Sequence, residues 1–224
     1  MGARPLVFVH GLGSHIPFWV PVVERLRAHY RCIVVDLPGY GASSAGPHPS
    51  TMSYYAFVLE ALLDALALPS ATLVAHSMGG QVGMVLALAR PHRVERLVLA
   101  APAGFERFTK SERAAMLRQF GASPLTSVAW MRLYSRSVGR HQLSHGGADL
   151  TRALYQSHSL SYNYTLARCI EGMLSEPVYD YLPQLEMPVQ VVFGECDKLI
   201  PNPLLHQGTA ADVARAGAAR TWAA

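Results

Sequence analysis

The sequence predicts an α/β protein: a mostly parallel sheet of about five strands sandwiched by helices, with a helical insertion. Three observations carry this. Short apolar, β-branched runs alternate with helix-period segments over residues 5–102. Residues 103–186 hold helix-period apolar and aromatic residues and no convincing strand. The stretch PVQVVFGE (188–195) then restores the strand pattern.

Taken in order, PLVFVHG (5–11) and RCIVVDLPG (31–39) are β-branched runs that end in turn chemistry, and both read as strands. Between them Phe18, Val22, Val23 and Leu26 fall on one side of a helix. Tyr54, Phe57, Val58, Ala61 and Leu62 mark a second helical stripe. TLVAH (72–76) is a third strand, VGMVLALAR (82–90) a helix and VERLVLAAP (94–102) a fourth strand. Apolar strands separated by helices imply a parallel sheet covered on both faces. The organisation expected is a core over 1–102, a lid or cap over 103–186, and the rest of the core over 187–224. The Met and aromatic residues of the middle block, among them Met116, Trp130, Met131, Tyr134, Tyr155, Tyr162 and Met173, suit an adaptable apolar pocket or plain helix packing.

A chain of 224 residues, half of them hydrophobic, can bury a large core. Its longest apolar runs are strand-length and fall short of the roughly 20 residues of a membrane span. The start, MGARPLVFVHG, turns directly into a strand and lacks the long apolar region of a signal peptide. Leu6 stands where an acylation signal at Gly2 needs Ser or Thr. Cys32, Cys169 and Cys196 are far apart and odd in number, which fits a reducing cytoplasm and neither a disulfide framework nor a zinc site. The net charge of +4 is scattered, without a basic stripe interleaved with aromatics, which speaks against nucleic acid as a partner. No metal or organic cofactor is implied.

The chemistry is expected at LVAHSMGGQVG (73–83). A serine that ends a strand and opens a helix needs a sharp turn, and Ala75, Gly79 and Gly80 are the small neighbours such a turn demands. The turn lifts Ser77 above the sheet at a helix N-terminus, where free N–H groups and the helix dipole favour developing negative charge. That is the physical content of the nucleophile elbow, with Ala75 in place of its first glycine. The competing reading is an ordinary N-cap serine.

His10-Gly11-Leu12-Gly13 directly follows the first strand, so in a parallel sheet its loop faces the same crevice as Ser77. A Gly-rich turn there can aim a backbone N–H at a reacting carbonyl oxygen. Leu12 is the expected donor, with Met78 as the second. His10 reads as a histidine bracing this loop rather than as a catalyst.

These stretches, together with DLPGYGAS (36–43), PHRVERLVLAAP (91–102) and VVFGECDKLIP (191–201), resemble the alpha/beta-hydrolase superfamily, specifically its lid-bearing esterase-like members. They arrive in the family's order and cover nearly the whole chain outside the lid. The resemblance implies acyl transfer through a serine ester on a small-to-medium apolar ester, thioester or amide. Gly194, Asp197 and Pro201 match the family's acid loop, which makes Asp197 the catalytic acid. APAGFE (101–106) has no Asp at the usual alternative position, and Asp36 reads as a turn-former.

In the resembled family a histidine some 25 residues past the acid serves as base, but GAARTWAA (217–224) contains none. His206, nine residues past Asp197, is the best resident substitute, while His141, His145 and His158 belong to the lid. His76, beside the nucleophile, is expected to point into the elbow's packing. Against the family, the first two strands and the last have no counterpart, which reads as a shortened gene model or a fragment. A ligand-binding member without catalysis, or a piece of a longer hydrolase, are the alternatives to an active esterase.

Overall fold

The computed structural model describes residues 4–46, 50–118 and 160–194, together with position 125. Five parallel strands form one sheet: β1 (Pro5–Val9), β2 (Arg31–Val35), β3 (Ala71–His76), β4 (Val94–Ala100) and β5 (Val189–Val192). Their spatial order is β2-β1-β3-β4-β5. The chain therefore steps from β1 outward to β2, then returns past β1 to lay down β3, β4 and β5 on the other side. The direction of winding reverses between β1 and β3. In an open α/β sheet the loops at the carboxyl ends of such a pair diverge and leave a crevice.

The helices are α1 (Val20–Leu26), α2 (Met52–Ala65), α3 (Met78–Ala89), α4 (Lys110–Met116) and α5 (Leu160–Ser175). Among the described residues between β4 and β5 there is no strand. One face of the sheet, carrying Val7, Val9, Leu73, Ala75, Leu97, Leu99, Val189 and Val191, is buried under α2, α3 and α5. On the other face Leu6 and Phe8 pack with Trp19, supported by Phe18, Val23 and Leu26. β1 is thus apolar on both sides, as a strand covered by two layers must be.

Two helical stripes differ from the expectation. In α2 the buried positions are Met52, Tyr55, Ala56, Leu59 and Leu63, one residue out of phase with the stripe read from the sequence, and Phe57 is 64% exposed. Apolar residues cover more than half of this helix's circumference, so periodicity leaves its rotation open. The rotation is set by Tyr55, whose hydroxyl lies 3.1 Å from the Cys169 thiol of α5. In α1, Val23 and Leu26 pack on the sheet but Val22 is 40% exposed. The seven-residue helix touches the sheet along a single edge.

α5 is tied to the core along its length. Leu166, Ala167, Cys169, Ile170 and Leu174 are buried. Tyr40 donates to the Cys169 thiol at 2.9 Å. At the far end the Gln81 amide donates to the carbonyls of Met173 (2.9 Å) and Glu176 (2.8 Å), satisfying acceptors a helix terminus leaves open. Burial pushes the Cys169 thiol up to about 11, so it stays protonated.

Candidate active site

The register of β1 on β3 pairs Phe8 with Val74 and Val9 with Ala75. Continuing one and two residues beyond that pair brings His10 beside His76 and Gly11 beside Ser77. A Cβ on Gly11 would stand 2.9 Å from the Ser77 Cβ and 2.8 Å from His76 Nδ1, so only glycine fits. Gly79 is confined in the same way: a Cβ there would meet the carbonyl oxygens of Val9 and His10 at 2.6 Å. The His10–Gly13 loop and the turn at Ser77 are consequently packed backbone to backbone.

Ser77 itself has φ 52° and ψ −122°, a conformation that costs a non-glycine residue about 1–3 kcal/mol. Backbone hydrogen bonds on both its N–H and its carbonyl hold it. Its N–H donates to Ala100 O (3.1 Å), and its carbonyl accepts from Gly80 N–H (2.8 Å) and Ala103 N–H (3.0 Å). An ordinary N-cap serine adopts extended backbone and its hydroxyl accepts from the helix. Ser77 does neither: it precedes α3 with positive φ and makes no side-chain cap bond. Its side chain is left half-buried at the head of a 12-residue helix.

Among the described residues, the N–H groups of Leu12 and Met78 donate to no backbone or side-chain acceptor. Met78 is the first residue of α3, where helix geometry leaves N–H groups open.

His10 is fully buried and both its ring nitrogens are engaged. Nε2 accepts from Leu37 N–H at 3.0 Å, which places the proton on Nδ1, 2.8 Å from the carbonyl of Gly11. Burial drives its pKa down to about 4, so the ring is neutral near pH 7. It joins the loop after β1 to the loop after β2 and has no nitrogen to spare for a serine. Asp36 is likewise occupied: its carboxylate accepts from Ile16 N–H (2.7 Å) and Ala42 N–H (2.9 Å), closing the turns around it. The His76 ring lies on Phe18, centroids 4.8 Å apart.

Asp197 and His206, with His141, His145, His158 and Cys196, lie outside the described residues. Sequence reasoning gave no specific role to two groups in the loops and helix around this crevice. In the loop after β4, Glu106 accepts from Gly104 N–H at 2.9 Å and burial raises its pKa. Tyr162 of α5 donates to the Gly13 carbonyl at 3.0 Å. The second could have been sought among the aromatic residues of the 103–186 block, but only the fold shows which one reaches the loop. No group of His, Cys, Asp and Glu among the described residues could hold a metal ion, and no described helix is long and apolar enough to cross a membrane.

A parallel sheet with a strained serine between strand and helix, facing a Gly-rich loop at a winding reversal, defines a class of α/β fold. The chain matches the model of the alpha/beta hydrolase fold over residues 4–215, and it belongs to that family. It is 31% identical over 204 residues to the pimeloyl-[acyl-carrier protein] methyl ester esterase of Vibrio vulnificus, covering 88% of this chain and 77% of that one. To 3-oxoadipate enol-lactonase 2 of Acinetobacter baylyi it is 29% identical over 203 residues, covering 87% and 72%. The fold superposes on a hydrolase from Pseudomonas aeruginosa with a TM-score of 0.81 at 24% identity, covering 100% of this chain and 83% of that one.

Proposed function

We propose that this chain is a serine hydrolase that cleaves an ester, thioester or amide of a small-to-medium apolar molecule through an acyl-serine intermediate. The observation that carries the reading is the Ser77 backbone, which accepts strain, forgoes the cap bond and sits at the head of α3 against the Gly11 loop. Relatives named as an ester esterase and a lactonase favour a carboxylic ester as the bond cleaved.

In this mechanism Ser77 Oγ attacks the carbonyl carbon, and the displaced electron pair settles on the carbonyl oxygen. The Leu12 and Met78 N–H groups receive that oxyanion. A histidine takes the serine proton and passes it to the leaving oxygen, sulfur or nitrogen; water then repeats the sequence on the acyl-serine. Asp197 is assigned as the acid that orients the base, and His206 as the resident candidate for the base. The helical 103–186 block serves as the lid over the acyl pocket, and the reaction needs no metal or cofactor.

The test is labelling of the purified chain with a fluorophosphonate, beside Ser77→Ala, Asp197→Asn and His206→Ala, with a panel of p-nitrophenyl esters. Labelling and ester turnover that vanish in Ser77→Ala and fall in the other two support the assignment. Turnover retained in Ser77→Ala, or a folded wild type that neither labels nor turns over, refutes it.

A further inference from the structure

We infer that Tyr162 is a positioning residue for the oxyanion donor Leu12, acting from α5 through two peptide units; this rests on the hydrolase reading above. The connection can be followed atom by atom. The Tyr162 hydroxyl donates to the carbonyl of Gly13 at 3.0 Å. That carbonyl shares its peptide unit with Ser14 N–H, which donates to the carbonyl of Gly11 at 3.1 Å. The Gly11 carbonyl in turn shares its peptide unit with Leu12 N–H, the group aimed at the oxyanion. Each donor polarises the next peptide in the chain, so the last N–H becomes a better donor as well as a fixed one. His10 Nδ1–H, 2.8 Å from the same Gly11 carbonyl, adds a second donor at the final link.

Position matters as much as polarisation. Gly13 has φ 75° and occupies the third place of the turn that the Ser14-to-Gly11 bond closes. His10 clamps the root of this loop to Leu37, and Asp36 clamps its exit at Ile16. At the apex, between those clamps, the Tyr162 hydroxyl adds a side-chain hydrogen bond to the packing of Leu12 on the core. The Tyr162 ring is itself held edge-on by Tyr40, with centroids 6.0 Å apart and planes at 85°. Tyr40 also donates to Cys169, about two turns further along α5. The hydroxyl is therefore delivered to Gly13 by an anchored helix and a seated ring.

The experiment compares wild type, Tyr162→Phe and Ser53→Ala. The last loses the hydroxyl bond from α2 to Glu176 (2.8 Å), just beyond the opposite end of α5, and serves as the control for a merely loosened helix. Three quantities are read: kcat and KM on a p-nitrophenyl ester, affinity for a trifluoromethyl ketone that forms an oxyanion, and hydrogen exchange by NMR of the Ser14 amide, which is bonded to Gly11 O. Tyr162→Phe is expected to lower kcat about 10- to 100-fold with KM within about two-fold, because a displaced donor is felt in the transition state. The ketone should bind correspondingly more weakly and the Ser14 amide exchange faster, while Ser53→Ala matches wild type in all three. Unchanged kcat and exchange in Tyr162→Phe, or equal losses in Ser53→Ala, overturn the inference. A wild type without Ser77-dependent turnover refutes the hydrolase reading instead; the Ser14 exchange comparison then decides by itself whether Tyr162 holds the loop.

Discussion

Gly11 and Ser77 meet across the β1–β3 seam with no room for a methyl group between them, since a Cβ on Gly11 would lie 2.9 Å from the Ser77 Cβ. Its other neighbour, His76 Nδ1 at 2.8 Å, belongs to a ring seated on Phe18. Neither side can retreat cheaply. Gly11→Ala should therefore cost about 1–3 kcal/mol of stability, as overpacking in a close-packed region does. It should also slow fluorophosphonate labelling by about 100-fold through a shift of around 1 Å in the reacting groups. Thermal melts and labelling rates on the same preparation check both, and a variant with wild-type rate and stability would show the seam to be slack.

Strain at Ser77 yields a prediction with opposite signs for folding and function. Glycine reaches φ 52°, ψ −122° without steric cost, whereas alanine carries the same penalty as serine. Ser77→Gly should stabilise the fold by about 1 kcal/mol, the relieved strain less the added entropy of an unfolded glycine. Ser77→Ala should melt close to wild type, and both should lose labelling entirely. Urea denaturation of the three proteins reads the difference; a Ser77→Gly protein less stable than Ser77→Ala would mean the backbone there is unstrained.

Much of this was legible before any coordinates, for reasons visible in particular residues. Runs such as Leu6–Val9 and Leu73–Ala75 are apolar because β1 and β3 are covered on both sides, so strand positions and a parallel sheet follow from the pattern, while the spatial order β2-β1-β3-β4-β5 does not. The small residues around Ser77 mark a backbone packed against backbone, and glycine announces that in any sequence. Helix rotation was less legible: in α2 the apolar residues extend beyond one stripe, and the buried set is chosen by where Tyr55 meets Cys169. Contacts between distant segments were not legible at all. Nothing in the spacing of Gly13 and Tyr162, or of Gln81 and Met173, signals that their atoms meet.

The buried Tyr40–Cys169–Tyr55 cluster predicts that the thiol matters to stability and not to reactivity. Cys169→Val leaves the Tyr40 hydroxyl with the Met78 sulfur at 3.9 Å and the Tyr55 hydroxyl with the Pro38 carbonyl at 3.3 Å and the Ser50 side chain. Two weakened buried hydroxyls should cost about 2 kcal/mol. Cys169→Ser, which restores a partner to both, should recover at least half of that. In native wild type the thiol should resist a disulfide reagent until the protein unfolds, because burial keeps it protonated. Rapid modification without loss of structure would contradict this account of the cluster.

His10 gives the protein an acid-sensitive joint between the loops after β1 and β2. Its pKa falls from 6.5 in an exposed chain to about 4 in the fold, because the buried ring cannot be hydrated as a cation. Between those values the unfolded state binds the proton and the folded state does not, so stability rises with pH across the window. The contribution is fully present above pH 6.5 and is lost as the pH falls towards 4. At about 1.4 kcal/mol per pH unit the loss amounts to about 3 kcal/mol. Protonation would also oblige Nε2 to give up the Leu37 N–H, loosening the root of the loop that carries Leu12. His10→Gln offers an amide donor and acceptor but nothing that titrates there. The stability gap between wild type and His10→Gln, taken from denaturant titrations at pH 8, 6, 5 and 4, should therefore narrow steadily below pH 6.5. A gap that stays constant across that range would place the ring in water rather than in the core.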